Sequence, residues 1–155
     1  MTLYDELDAS GTVVRSRFVL GPYDILADGH TWVEHNPSLE DYKTQQKQLI
    51  ESWRDEACGA PVTVVVGGVS YQFQADERSQ SLLSNSLLLV NIGAAPVPSA
   101  WRTLDNQDIA VTLTDLHNIA TAMATNAATA YPHSWTLKAQ VDVATTVSEV
   151  QAITW

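Results

Sequence analysis

Short runs of apolar and β-branched residues, separated by turn-forming residues, predict β-strands, and in residues 69–74 apolar and polar side chains alternate as in a strand with one buried face. The predicted strands are residues 3–7, 12–20, 31–34, 62–66, 69–74, 100–103 and 109–112. Gly11 lies in the turn of a first hairpin and Gly67-Gly68 in that of a second, because glycine adopts the positive φ that tight hairpin turns require. A turn at Asp105-Asn106 joins the last pair of strands.

Other stretches place apolar residues three and four apart, the spacing of a helix with one buried stripe. The predicted helices are residues 37–57, residues 77–91, a helix that follows Thr114, a later helix through residues 135–144 and a short terminal helix. Asn36 is expected to cap the first helix, with Pro37 at its first position, and Asp76 is expected to cap the second.

Four further residues set the predicted limits of the C-terminal helices. Thr114 is expected to cap the third helix, and Pro132 should end or kink it because proline lacks the amide donor and clashes with the preceding turn. Thr146 and Glu149 match a capping box, which predicts the short helix at the C-terminus.

These elements predict an α+β fold, in which a small antiparallel β-sheet with hairpins packs against three to four helices. An N-terminal β-hairpin and a linking helix precede that body. Residues 1–78 hold most of the acidic residues, whereas residues 79–155 are rich in Ala, Thr, Leu and Val, a shift that suggests two regions rather than a uniform fold.

Charge and cysteine content narrow the classes of function. The 155 residues include 18 acidic and 8 basic ones, for a net charge of −10, and 13 of the acidic residues lie in residues 1–78. This excess of acid disfavours binding to nucleic acid or to an anionic membrane surface, both of which need basic patches. The single cysteine excludes an intrachain disulfide.

No group of residues matches a catalytic or metal-binding constellation. His30 and His35 lie near Asp28 and Glu34, but their spacing fits neither a helical i, i+4 pair nor a zinc finger, so they are interpreted as surface or capping residues. Cys58 lies near a helix C-terminus, where the macrodipole does not stabilise a thiolate. We expect no catalytic residue, no cofactor and no metal, and a protein that is not an enzyme.

The order of short motifs over residues 51–155 resembles a domain of unknown function associated with the tails of tailed bacteriophages. The matching stretches are residues 54–56 (RDE), 71–76 (YQFQAD), 79–81 (SQS), 101–106 (WRTLDN), 111–114 (VTLT), 137–141 (LKAQV) and 147–153 (VSEVQAI). The chain departs from the pattern at Pro132, where the family has an unbroken helix.

The resemblance identifies residues 51–155 as an α+β phage-tail-associated domain and leaves residues 1–50 outside it as an attachment or oligomerisation segment. It implies a place in the virion tail, as a tail-fibre or baseplate component. Because no catalytic constellation is found, we expect a non-enzymatic tail structural protein. Its partners would be other tail proteins or further copies of itself. The anchors expected to make those contacts are the aromatic residues of the N-terminal segment, Tyr4, Phe18, Tyr23 and Trp32. Two alternatives remain open: a tail-fibre assembly chaperone absent from the mature virion, and a cell-wall-degrading enzyme.

Overall fold

A computed structural model describes residues 3–20, 24–35 and 37–155. Its contacts divide the chain into two compact units, residues 1–42 and residues 43–155. Small antiparallel sheets and helices make up the described part, which confirms the predicted α+β class and the N-terminal hairpin followed by a helix.

The N-terminal unit contains a three-stranded antiparallel sheet of β1 (Tyr4–Leu7), β2 (Val13–Phe18) and β3 (Thr31–Glu34) in the order β2-β1-β3. The β1–β2 hairpin is as predicted, and Gly11 has the expected positive φ of 83° in its turn. The Asp8 carboxylate accepts the Ser10 and Thr12 amides at 2.9 Å, which holds the turn closed. Strand β3 is predicted from the sequence, but its pairing with β1 is not, because no local pattern indicates which strand it joins.

The remaining elements follow in chain order. They are α1 (Leu39–Gly59), β4 (Val62–Val66), β5 (Val69–Phe73), α2 (Glu77–Asn91), β6 (Ala100–Arg102), β7 (Asp108–Ala110), α3 (Leu113–Val143) and α4 (Val147–Gln151). Helix α1 begins at Leu39, so the prediction of Pro37 at its first position is wrong, and Asn36 lies outside the described residues. The Oγ of Ser38 accepts the Asp41 amide at 3.2 Å at this helix start.

Two hairpins, β4–β5 and β6–β7, form separate two-stranded sheets in the second unit. Gly67 and Gly68 have φ values of 59° and 86°, the geometry that a two-residue turn between twisted strands requires. Alternate valines of β4 point inwards and Phe73 of β5 is fully buried. These side chains share one core with residues of α2 and α3: Leu83, Leu87, Leu116, Ile119 and Met123.

A second apolar cluster joins the C-terminal half of α3 to α1. Ile50 and Val141 are fully buried in this cluster, and the buried Leu137 packs with them. The side-chain amide of Gln46 donates to the Ile153 carbonyl at 2.6 Å, so the chain end is bound to the same cluster. Burying an Ile and a Val of this kind contributes about 1.5–3 kcal/mol per side chain.

The predicted caps of α2 and α4 are confirmed, whereas that of α3 is not. Asp76 caps α2, and Thr146 with Glu149 forms the capping box of α4, as expected. The cap of α3 is Thr112, not Thr114, because Thr112 forms a capping box with Asp115. The prediction that α3 ends at Pro132 is also wrong, since the helix continues from Leu113 to Val143 with the proline inside it.

Candidate functional site

Of the four predicted anchors, only Tyr4 and Trp32 have side chains that the structure describes. Tyr4 and Trp32 are half-buried, on adjacent strands of the N-terminal sheet. Tyr4 pairs with Glu34 and Glu6 pairs with Trp32, so the side chains of Tyr4, Glu6 and Trp32 share one face of the sheet. Tyr23 lies outside the described residues. The backbone of Phe18 pairs with Tyr4, but its side chain lies outside what the structure describes.

Asp5 organises an irregularity in the pairing of β1 with β2. The register passes from Tyr4↔Phe18 to Glu6↔Arg15, so Ser16 and Arg17 lie opposite Asp5 alone, which is the geometry of a β-bulge. Arg17 has a positive φ of 57° at this point. The Asp5 carboxylate accepts hydrogen bonds from the Ser16 hydroxyl and, at 2.9 Å, from the Arg17 amide, which stabilises the bulge.

The same carboxylate contacts a histidine. His35 Nδ1 lies 2.8 Å from Asp5 Oδ2, and the His35 side chain is nine-tenths buried. Hydrogen bonds from Ser16 and His35 hold the pKa of Asp5 at about 2, well below its ordinary value of 3.8. Asp5 is therefore a structural anion of this sheet.

The two histidines of the N-terminal unit do not form a common site. His30 Nδ1 lies 2.8 Å from Glu6 Oε1, whereas His35 contacts Asp5. Because Asp5 and Glu6 are neighbours in a strand, their side chains leave opposite faces of the sheet. Among the described residues, no three His, Cys, Asp or Glu side chains converge in a way that could hold a metal ion.

Apolar side chains are exposed on the N-terminal unit. They are Val13, Val14, Val19, Ile25 and Val33, of which Ile25 is 88% exposed. The strands β2 and β3 form the two edges of the sheet. An edge strand carries amides and carbonyls that can pair with an additional strand, and apolar side chains beside it provide surface for a partner.

A groove of about 600 Å³ in the second unit lies between the start of α2 and strand β6. It is lined by Gln74, Asp76, Arg78, Ser79, Leu82, Ala100, Trp101, Arg102 and Asp108. Arg102 and Asp108 lie on paired strands and form a bidentate ion pair with two contacts of 2.9 Å. This pair raises the pKa of Arg102 and lowers that of Asp108.

Sequence reasoning did not single out Arg78, which differs from the other cations. The other lysines and arginines have an ion pair or another interaction in the structure. Arg78 is exposed, and within the described ranges no ion pair to its guanidinium is seen. Acidic side chains are in excess in this chain, whose net charge is −10, so an arginine without a carboxylate partner is unusual. The sequence alone cannot identify such an arginine, because ion-pair partners depend on the fold.

The comparisons with known proteins give a family but no activity. The family described as a domain of unknown function, DUF4376, matches residues 41–154. No curated protein and no solved structure matches the chain. In the part of the chain that the structure describes, no helix combines the length and apolar character needed to cross a membrane.

Proposed function

The chain belongs to the DUF4376 family, and we propose that this protein is a non-enzymatic structural component of a bacteriophage tail that acts through protein–protein contacts. The tail location rests on the ordered motifs of residues 51–155, which resemble a domain associated with phage tails. Other tail proteins, or further copies of this chain, are the proposed partners.

The observation that carries the contact role is the open N-terminal sheet. Both of its outer strands, β2 and β3, have an edge without a further strand among the described residues. Trp32 lies on β3, and Tyr4 lies on the same face one strand away. A partner strand added to this edge would gain main-chain hydrogen bonds, while the aromatic side chains would select the partner.

Mass spectrometry of purified particles tests the proposed location. The phage whose genome encodes this chain is grown, and its particles are purified by density gradient. We expect the protein at a fixed copy number per particle. Complete absence from particles, combined with capture of a fibre protein from infected cells, would instead select the assembly chaperone. Clearing of cell walls by the purified protein would select the enzyme.

Two tryptophan substitutions test the proposed anchor. Trp32→Ala should lower incorporation into particles at least tenfold, since aromatic anchors contribute about 2 kcal/mol or more at interfaces. Trp135→Ala is the matched control, because Trp135 is 62% exposed but lies on α3 of the second unit. Circular dichroism and two-dimensional NMR spectra establish that both variants fold. Equal incorporation of the two folded variants would refute the role of Trp32.

A further inference from the structure

The groove of the second unit lies between the segment that follows β5 and strand β6. The Leu104 amide donates to the Gln72 carbonyl at 2.7 Å, the contact at which the two hairpins meet. Beyond it β5 leads through Gln74 into α2, while β6 extends back to Ala100. Gln74 and Ala100 both line the groove. The groove is thus a gap beside one edge of β6.

The ladder of the β6–β7 hairpin determines which backbone groups face this gap. The Thr103 amide donates to the Gln107 carbonyl at 2.9 Å, and the Val111 amide donates to the Ser99 carbonyl at 3.4 Å. Hydrogen-bonded pairs alternate with non-bonded pairs in an antiparallel ladder. The N–H and C=O groups of Ala100 and Arg102 therefore point away from β7, and no described strand pairs with them.

Among the described charged side chains that line the groove, one cation has no ion-pair partner. The Asp76 carboxylate accepts from the Ser79 amide at 2.9 Å and from the Ser79 hydroxyl at 3.0 Å, so it is occupied as the cap of α2. Arg102 and Asp108 neutralise each other. Arg78, in the first turn of α2, lines the groove and has no ion pair within the part of the chain that the structure describes.

We propose that this groove binds an extended peptide segment that carries a carboxylate, with the segment pairing as a strand along the free edge of β6 and the carboxylate binding Arg78. Strand addition accounts for the unpaired main-chain groups, and the carboxylate accounts for the unpaired guanidinium. Leu82, 54% exposed on the wall of the groove, provides apolar surface for a neighbouring peptide side chain. The volume of about 600 Å³ is in the range of ligand sites in proteins.

This proposal is independent of the tail location, because it concerns the second unit and is tested on the purified chain. The probe is a seven-residue peptide of alternating valine and threonine with one central glutamate, acetylated and amidated at its ends and labelled with a fluorophore. A second probe replaces the glutamate by glutamine. A third has glutamine and a free C-terminus, which separates a side-chain carboxylate from a terminal one.

Fluorescence anisotropy should show the glutamate peptide, the free-acid peptide or both binding about tenfold more tightly than the glutamine peptide, since a charge-assisted hydrogen bond of this kind changes affinity by roughly that factor. Arg78→Gln should abolish this difference between the peptides. Chemical-shift changes in NMR spectra should be centred on Ala100, Arg102 and Arg78.

Two proline variants test the strand pairing. Ala100→Pro removes an amide that faces the gap, whereas the matched variant Ala110→Pro removes an amide on the outer edge of β7, since both residues belong to one non-bonded pair. We expect at least tenfold weaker binding for Ala100→Pro and unchanged binding for Ala110→Pro. Binding that ignores both Arg78→Gln and Ala100→Pro, or no binding by any of the three peptides, would overturn the proposal.

Discussion

At the scale of single residues, the start of α3 depends on the spacing of two side chains. Thr112 Oγ accepts the Asp115 amide at 3.2 Å, and Asp115 accepts the Thr112 amide at 2.8 Å. Thr114 has His117 three residues later, which cannot return a carboxylate to the cap. The capping box therefore distinguishes the two candidates, because Thr112 has a carboxylate three residues later and Thr114 does not.

Replacing each threonine by alanine tests this assignment. Thr112→Ala should lower the free energy of unfolding by about 1 kcal/mol, because the cap of a helix is lost. Thr114→Ala should change it by less than about 0.5 kcal/mol, as for an ordinary surface substitution. Urea unfolding followed by circular dichroism measures both values. A larger loss for Thr114→Ala than for Thr112→Ala would contradict the assignment.

At the scale of elements, α3 contains a proline without ending. A proline at position 132 leaves the carbonyl of Ala128, four residues earlier, without its helical donor. Ala128 and Pro132 are both exposed, so water can satisfy that carbonyl. Apolar packing on both sides of the proline, by Met123 and Leu137, holds the two halves in one helix. Tertiary packing thus overrides the local preference that predicts a break.

Pro132→Ala should raise the free energy of unfolding of the second unit by about 1–3 kcal/mol. The substitution restores an amide donor and removes the ring clash, and this gain exceeds the loss of about 0.4–1 kcal/mol from a more flexible unfolded chain. Pro96→Ala, in the loop between α2 and β6, is the control and should give no gain. A destabilised Pro132→Ala variant in urea unfolding would show that the proline geometry itself supports the packing of α3.

Local patterns account for the elements that the sequence predicts well. The β4–β5 hairpin and α2 have their predicted limits to within a residue because the alternation of valines, the Gly67-Gly68 turn and the Asp76 cap act between near neighbours. The pairing of β3 with β1 is not predicted, because it joins residues that are 24 to 30 positions apart in the chain. The groove is not predicted for the same reason, since Arg78 and Ala100 are distant in the sequence and line one groove only in the folded unit.

At the scale of the whole molecule, the acidic residues of both units take part in defined contacts. Hydrogen bonds lower the pKa of carboxylates in the N-terminal unit and in the second unit: Asp5, Asp8, Asp41, Asp76, Asp115 and Glu149. Most of these carboxylates close a turn or cap a helix. The net charge of −10 thus includes side chains that stabilise local structure, and protonating them should weaken both units.

Asp5 gives this dependence on pH a specific prediction. Its pKa is about 2 in the folded chain and near 3.8 when unperturbed, so the folded state binds its proton less tightly. The stability that Asp5 contributes is present above about pH 3.8 and is lost as the pH falls towards 2. In Asp5→Asn, the N-terminal sheet should be less stable at neutral pH, and its loss of stability between these two values should be smaller than in the parent chain.

The indole NMR signal of Trp32 reports on the N-terminal sheet, because the other four tryptophans lie in the second unit. Near pH 6, its native signal should disappear at a higher urea concentration in the parent chain than in Asp5→Asn, and this difference should shrink as the pH falls from about 3.8 towards 2. Asp76→Asn is the control, since Asp76 caps α2 in the second unit and should leave the Trp32 transition unchanged. Identical Trp32 transitions for the parent and Asp5→Asn across this pH range would mean that the bulge at Ser16 and Arg17 holds without the Asp5 carboxylate, and would contradict the prediction.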